Sequence, residues 1–309
     1  FGGGTPSLFA ADSIAQILTS ATLVDNVEVT IEANPGTVEA GRFAAYREAD
    51  VNRLSIGVQT LRDEKLEVLG RIHNSKQARL AVDLALQAGF ESVNIDLMYG
   101  LPGDSVAGSI ADLECVIDTG VQHISWYQLT IEPGTAFAHK PPTLPDEETV
   151  EEIEREGRAL LISRGFERYE ISAYAKSVSH RTKHNLNYWQ FGDYLGLGAG
   201  AHSKLTTVGG MRRESRIRSP QRYMTCARED NAVETITKAA PGTIMLEFLM
   251  NALRLTDGFT FEMFESRTGL DRAGLRNAAR YALGRGMLVA TDTALQPTEL
   301  GLRYLNDLL

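Results

Sequence analysis

The 309-residue chain is poor in cysteine: Cys115 and Cys226 are its only two, and they stand far apart. A disulfide framework is excluded, and so is a thiolate set at ligand spacing within these residues. Cysteine-poor composition makes a cytoplasmic home the default. No apolar run approaches the roughly 18 residues of a membrane span. No repeat of solenoid length and no low-complexity tract occurs. A basic excess is missing as well, with 31 Lys and Arg against 40 Asp and Glu and a formal net charge of −9. That balance argues against a general polyanion binder. What is present is ordinary globular usage, 43% hydrophobic and 23% charged, in a chain long enough for one large domain and a small one.

Short β-rich runs alternate with longer amphipathic stretches. Strands are predicted at 27–33, 53–59, 93–99 and 123–130, each apolar and rich in β-branched or aromatic residues as in a buried parallel sheet. Helices are predicted at Pro6–Ser20, Val38–Ala49, Ser75–Gln87 and Ser105–Asp118, the first capped by Thr5 with Pro6 as its first helical residue. Gly89 and Gly120 follow helix ends, where a left-handed residue is wanted. The βαβαβα order implies an α/β fold with a parallel sheet, and strand spacings of roughly 25 to 40 residues suit a barrel or part-barrel.

A proline-rich connector, HKPPTLPDEE, precedes an acidic helix whose charge run reads as a solvated face. Then come a short strand, RYEIS, and a polar-aromatic stretch, HRTKHNLNYWQFGDYLGLGAGAHSKL. TTVGGMRRESRIR reads as a hairpin turning at Gly209–Gly210. From about Pro241 the order helix, helix, β-wing, helix is a winged-helix pattern. The expected division is a part-barrel at 1–205, a hairpin and linker at 206–240, and a winged-helix-like α+β domain at 241–309.

Parallel barrels bind ligands at the C-terminal ends of their strands. Glu32, Gln59 and Thr130 close three of the predicted strands, and Asp96 lies inside an apolar one. A carboxylate there needs a partner or a ligand, and four polar groups on successive strands point to a shared small-molecule site. The opening FGGGTPSLF fits the same face, its backbone N–H groups free to point at an anion. It is neither a P-loop nor a G-x-G-x-x-G turn, because Pro6 takes the last glycine position. GLGAGA (196–201) lacks the helix and acidic residue of a dinucleotide loop and reads as close backbone packing.

Together GGGTPS, EANPG, RLSIGVQ, GRIHN and NIDLMYGLPG resemble the radical S-adenosylmethionine (SAM) proteins of the oxygen-independent coproporphyrinogen-III-oxidase type. HISWYQLTIEPGTAF, YEISAYAK and HNLNYWQFGDYLGLGAGAH look like the family's heme-chaperone branch. The resemblance runs over nearly the whole chain. It implies a partial TIM-like (β/α) barrel that binds SAM across its strand ends. Gly3, Gly4 and Thr5 would hold the methionine end, and Glu32 would accept from the ribose or amino group. Gln59, Arg71 and Asp96 would complete the pocket, with Arg71 and Asp96 placed to pair charges. Thr130 and His202 would line the adenosine side. One departure is severe: the family holds a [4Fe–4S] cluster on a C-x3-C-x2-C motif, and no such motif occurs. Neither Cys115 nor Cys226 can substitute. The expectation is a segment preceding Phe1 that carries the cysteines, and a chain that by itself neither binds the cluster nor cleaves SAM.

Within this resemblance HNLNYW marks the chaperone branch. His184 is the first candidate for a heme ligand, with His180 and His202 behind it, since histidine is the common proximal ligand. Arg212, Arg213, Arg216, Arg218 and Arg222 either meet heme propionates or form a solvated hairpin edge. The implied partners are heme and acceptor apo-hemoproteins, with membrane association only through such acceptors. The alternatives are an oxidative decarboxylase of coproporphyrinogen III and a winged-helix nucleic-acid binder using Arg272, Arg276, Arg280 and Arg285. Residues 257–309 hold six Arg against seven Asp or Glu, so no basic excess favours the last.

Overall fold

A computed structural model describes residues 1–37, 40–229 and 231–305. Two compact units form, Phe1–Arg181 and Thr182–Leu309.

The first unit is built on a six-stranded sheet. Its strands are β1 (Thr30–Ala33), β2 (Arg53–Gln59), β3 (Ser92–Tyr99), β4 (His123–Gln128), β5 (Glu167–Arg168) and β6 (Ala173–Ala175), in the order β1-β2-β3-β4-β6-β5. The first four run parallel and β5 and β6 add an antiparallel edge. The helices are α1 (Ala11–Thr19), α2 (Ala40–Glu48), α3 (Asp63–Val68), α4 (Ser75–Gln87), α5 (Val106–Ile117), α6 (Ala136–His139) and α7 (Glu147–Ser163). One face of the sheet is largely apolar. Leu54, Ile56, Val58, Val93, Ile95, Leu97 and Ile124 are fully buried in one core with Ile14, Phe43, Ala78, Leu113, Ile153 and Leu161 from the helices. Helix α7 comes so close that a Cβ at Gly157 would lie 2.0 Å from the Trp126 ring.

Local signals set the helix ends. Asn74 and Gln77 form a capping box on α4, and the Ser105 and Asp146 side chains cap α5 and α7. Gly89 and Gly120 take φ of 75° and 85° as expected past helix ends. The predicted Pro6–Ser20 helix is instead a 3-10 turn, Pro6–Leu8, followed by α1, and Thr5 makes no side-chain cap. The break has a tertiary cause. The Tyr46 hydroxyl donates to the carbonyls of Ser7 and Phe9, and Arg42 also donates to Ser7, so oxygens a continuous helix would use internally are taken from outside. The predicted RYEIS strand is mostly the connection between β5 and β6. Val38, at the start of the second predicted helix, lies outside the described residues.

The second unit contains α8 (Lys183–Trp189), the antiparallel sheet β7 (His202–Thr207), β8 (Gly210–Arg216) and β9 (Val233–Lys238), and α9 (Pro220–Ala227). It continues with α10 (Pro241–Ala252), β10 (Phe259–Thr260), α11 (Phe261–Thr268), α12 (Arg272–Ala278), α13 (Arg280–Gly284), β11 (Leu288–Ala290), β12 (Ala294–Pro297) and α14 (Glu299–Arg303). The three-stranded sheet β10-β12-β11 is the small wing, and Phe191, Phe248, Phe259 and Phe264 pack edge to face beside it.

Candidate functional site

Side chains alternate across a strand, and here the alternation separates two chemistries. Opposite the apolar face stand Glu32 on β1, Arg53, Ser55 and Gln59 on β2, Asn94 and Asp96 on β3, and His123, Ser125 and Tyr127 on β4. Five of them, Ser55, Asn94, Asp96, His123 and Ser125, form one hydrogen-bond network. Asn94 Nδ2 donates to Ser55 Oγ and Asp96 Oδ1 at 2.8 Å each, and Asn94 Oδ1 accepts from Ser125 at 3.0 Å. His123 Nδ1 lies 2.6 Å from the same oxygen and therefore carries the proton, while its Nε2 meets the Tyr169 hydroxyl at 2.8 Å. Burial pushes the Asp96 carboxyl above the usual range and the nearby Glu32 charge adds to this; Asn94, Arg53 and Ser125 pull the other way. Burial also lowers the Arg53 guanidinium from its ordinary value, against Glu28, Tyr169 and Asp96, and its Nε has no hydrogen-bond partner among the described residues.

The glycine loop sits on Glu32. Phe1 accepts from the Glu32 N–H and its amino group donates to Thr30, a parallel-strand pattern along β1. The Gly3 N–H donates to Glu32 Oε2 at 3.3 Å, and Gly3 and Gly4 take φ of 78° and 59°. Gly2 lies against the same carboxylate, where a Cβ would stand 2.9 Å from Glu32 Oε1 and displace it.

At the end of β2 the register shifts and Gln59 takes φ 70°, a left-handed conformation for a non-glycine residue. The Thr60 N–H returns to the Val58 carbonyl at 2.9 Å, closing a γ-turn around Gln59. Strain of this kind costs on the order of 1–3 kcal/mol and persists only where the surroundings hold it. The Tyr127 hydroxyl holds the side chain, donating to Gln59 Oε1 at 2.8 Å. Burial raises the Tyr127 phenol, with the Asp96 charge adding and Arg71 opposing, so Arg71 acts on this same corner. Arg71 makes no ion pair with Asp96 among the described residues. His73, lowered by burial and by Arg71, places Nε2 3.2 Å from the Val58 carbonyl. Thr130 lies exposed just past β4.

Sequence reasoning missed a second buried network at these strand ends. Asp112 on α5 accepts from Thr60 Oγ1 (2.5 Å), the Leu61 N–H (3.1 Å) and Arg62 Nε (2.9 Å). Arg62 Nη1 reaches Asp104 at 2.7 Å, and Asp104 accepts from Leu101, Ser105 and Ser109. Burial opposes the Asp104 charge, but the hydrogen bonds of Arg62, Ser109 and Leu101 outweigh it and hold its carboxyl below the ordinary value.

In the second unit HNLNYW forms α8. Asn187 Nδ2 donates to the Asp193 carbonyl, and a Cβ at Gly192 would collide with Asn187. Tyr188 packs edge to face on Tyr194, and Arg254 lies over the Trp189 ring at 4.4 Å. His184 is exposed one turn before Tyr188. Lys204 is buried beneath the following turn, donating to the Phe191 carbonyl and to Asp193 at 2.9 Å each; burial lowers its ammonium despite Asp193. His202 is exposed at the start of β7 in this unit, and His180 in the first unit meets Ser177 at 2.8 Å. Three of the clustered arginines are engaged: Arg212 and Arg216 pair with Glu214, and Arg213 with Glu247. Arg272 pairs with Glu265, Arg276 lies over Phe261 and Arg280 donates to Asn277, which further weakens a phosphate-binding reading.

The Radical SAM superfamily model matches residues 1–113, and the HemN C-terminal domain model matches residues 240–304. The heme chaperone HemW of Haemophilus influenzae is 44% identical over 315 residues, covering all of this chain and 80% of that protein. The heme chaperone HemW of Escherichia coli is 42% identical over 313 residues, again covering this whole chain and 82% of that protein. The chain belongs to the HemW family of radical SAM proteins. The solved structure of Escherichia coli coproporphyrinogen III oxidase, HemN, superposes with a TM-score of 0.80 at 19% identity over 99% of this chain and 76% of that one, which makes the fold common to both.

The HemW-family chain does not supply a cluster site in its described residues. Cys115 lies on α5 with Arg79 at 3.5 Å from its sulfur, Cys226 lies on α9 in the other unit, and no His, Cys, Asp or Glu group could hold a metal ion among the described residues. Nor is any described helix long and apolar enough to cross a membrane. Asn94, Ser125, His123 and Tyr127 join the site from the structure. Their signal was legible as the period-two pattern of R-S-G-Q, S-N-D-M and H-S-Y within strands otherwise read as uniformly apolar.

Proposed function

We propose that this HemW-family chain binds SAM on the polar face of its sheet, binds heme at α8, and hands heme to apo-hemoproteins in the cytoplasm. The observation that carries the heme reading is identity of 44% and 42%, over the full length of this chain, with two heme chaperones. The polar sheet face supports the SAM reading. Bound SAM supplies a sulfonium cation beside a carboxylate, an amino group and an adenosine. The left-handed loop at Gly3 and Gly4 suits the carboxylate, with the Gly4 N–H as its donor while Gly3 holds Glu32. Exposed Glu32 offers a carboxylate to a cation and half-buried Asp96 a second carboxyl group behind it, and Gln59, Arg71 and Thr130 line the strand ends. No reductive cleavage step is assigned to these residues, because none of them holds a cluster.

For heme, exposed His184 is the proposed iron ligand and half-exposed Tyr188 the aromatic neighbour, while Asn187 and Trp189 anchor α8. The test is hemin titration of the full chain against His184→Ala. A Soret shift lost or moved in the variant supports the reading; an identical spectrum and affinity removes His184 as the ligand.

A further inference from the structure

Asp112 lies on α5, away from the polar face, yet its buried carboxylate takes hydrogen bonds from all three residues that follow Gln59. Gln59 itself sits in a γ-turn with φ 70°, a conformation that its own local sequence does not favour. Relaxing that turn would swing the Gln59 amide away from Tyr127. The anchor is specific. Thr60 is fully buried, and its hydroxyl is spent on Asp112 while accepting from the Arg62 N–H. Arg62 then extends the anchor to Asp104 in the loop after β3, and Gly108 leaves it the room, since a Cβ there would lie 2.6 Å from Nη1. The loops after two neighbouring strands are thus tied to one helix through one guanidinium.

We propose that Asp112, acting through Thr60 and Arg62, is the positioning residue that holds Gln59 in its strained turn and so sets the affinity of the strand-end site for SAM. The inference rests on the SAM reading of that site. Two carboxylates bracket Arg62 with charge-assisted bonds, a stronger tie than the turn's own single backbone bond.

The experiment is calorimetric titration of the full chain with SAM, in wild type, Thr60→Val, Thr60→Ser, Gln59→Gly and the Gln59→Gly/Thr60→Val double variant. Thr60→Val keeps the shape and removes the hydroxyl; we expect SAM binding about tenfold weaker, with Thr60→Ser restoring it. The double variant should bind no more weakly than Gln59→Gly alone, because both changes act on one group. Thr60→Val that lowers the melting temperature but leaves SAM affinity at the wild-type value overturns the inference, as do additive effects in the double variant. SAM affinity untouched by Gln59→Gly overturns the SAM reading of the strand end and the inference with it.

Discussion

The Tyr127 hydroxyl donates to Gln59 Oε1 at 2.8 Å, joining the C-terminal ends of β2 and β4 across the width of β3. It orients the amide so that Gln59 Nε2 remains available, 3.1 Å from where a Cβ on Gly57 would stand. Tyr127→Phe keeps the ring and deletes this bond. SAM affinity should fall about two- to tenfold, the range of one hydrogen bond, with little change in melting temperature. Titration calorimetry on the two proteins reads it, and equal affinities would sink the assignment of Gln59 to the site.

Gly2 and Glu32 make a second check, independent of β2. Gly2→Ala forces a Cβ to within 2.9 Å of Glu32 Oε1, so the carboxylate must swing off the Gly3 N–H. Glu32 is solvent-exposed, and the fold should tolerate the change. The expected result is a loss of SAM affinity of about tenfold with an unaltered circular dichroism melt.

Asp104 gives a pH dependence of known sign. Its folded-state pKa is depressed. Its contribution is therefore complete above the ordinary aspartate value, about 3.9, and is lost as pH falls through the lower folded value. Urea melts of wild type and Asp104→Asn should differ most at pH 7 and converge as the solution is acidified below about pH 4. A gap that widens on acidification would contradict the assignment.

Lys204 holds the turn after α8 from below. Lys204→Met leaves the Phe191 carbonyl without its donor and Asp193 without its cation. A loss of about 1–3 kcal/mol is expected, discounted because the Asp193 side chain is 39% exposed. Hemin binding should weaken in parallel, since Asn187 is bonded to Asp193 and fixes the end of α8. Chemical denaturation followed by Trp fluorescence measures the first effect and Soret titration the second.

The sequence carried the parallel strands well because each is a β-rich run closed by helices with readable caps, as at Asn74 and Ser105. It singled out Glu32, Gln59 and Asp96 as candidates because polar groups in apolar strands stand out. It did not carry the break at Phe9, since the hydroxyl responsible belongs to Tyr46 on α2. Nor did it carry Asp112, which reads as one more polar residue of an amphipathic helix until Thr60, Leu61 and Arg62 fold against it.

By itself, then, the sequence determined the α/β class, the left-handed glycines, the composition limits on metal and polyanion binding, and the residues that resemble a SAM site. Those properties are local, set by side-chain chemistry and by φ preferences within a few residues. Only tertiary structure decided that the polar residues of four strands share one face, and that Gln59 is strained and held. Each depends on hydrogen bonds and charges between groups distant in sequence, whose strength follows from the burial that packing creates.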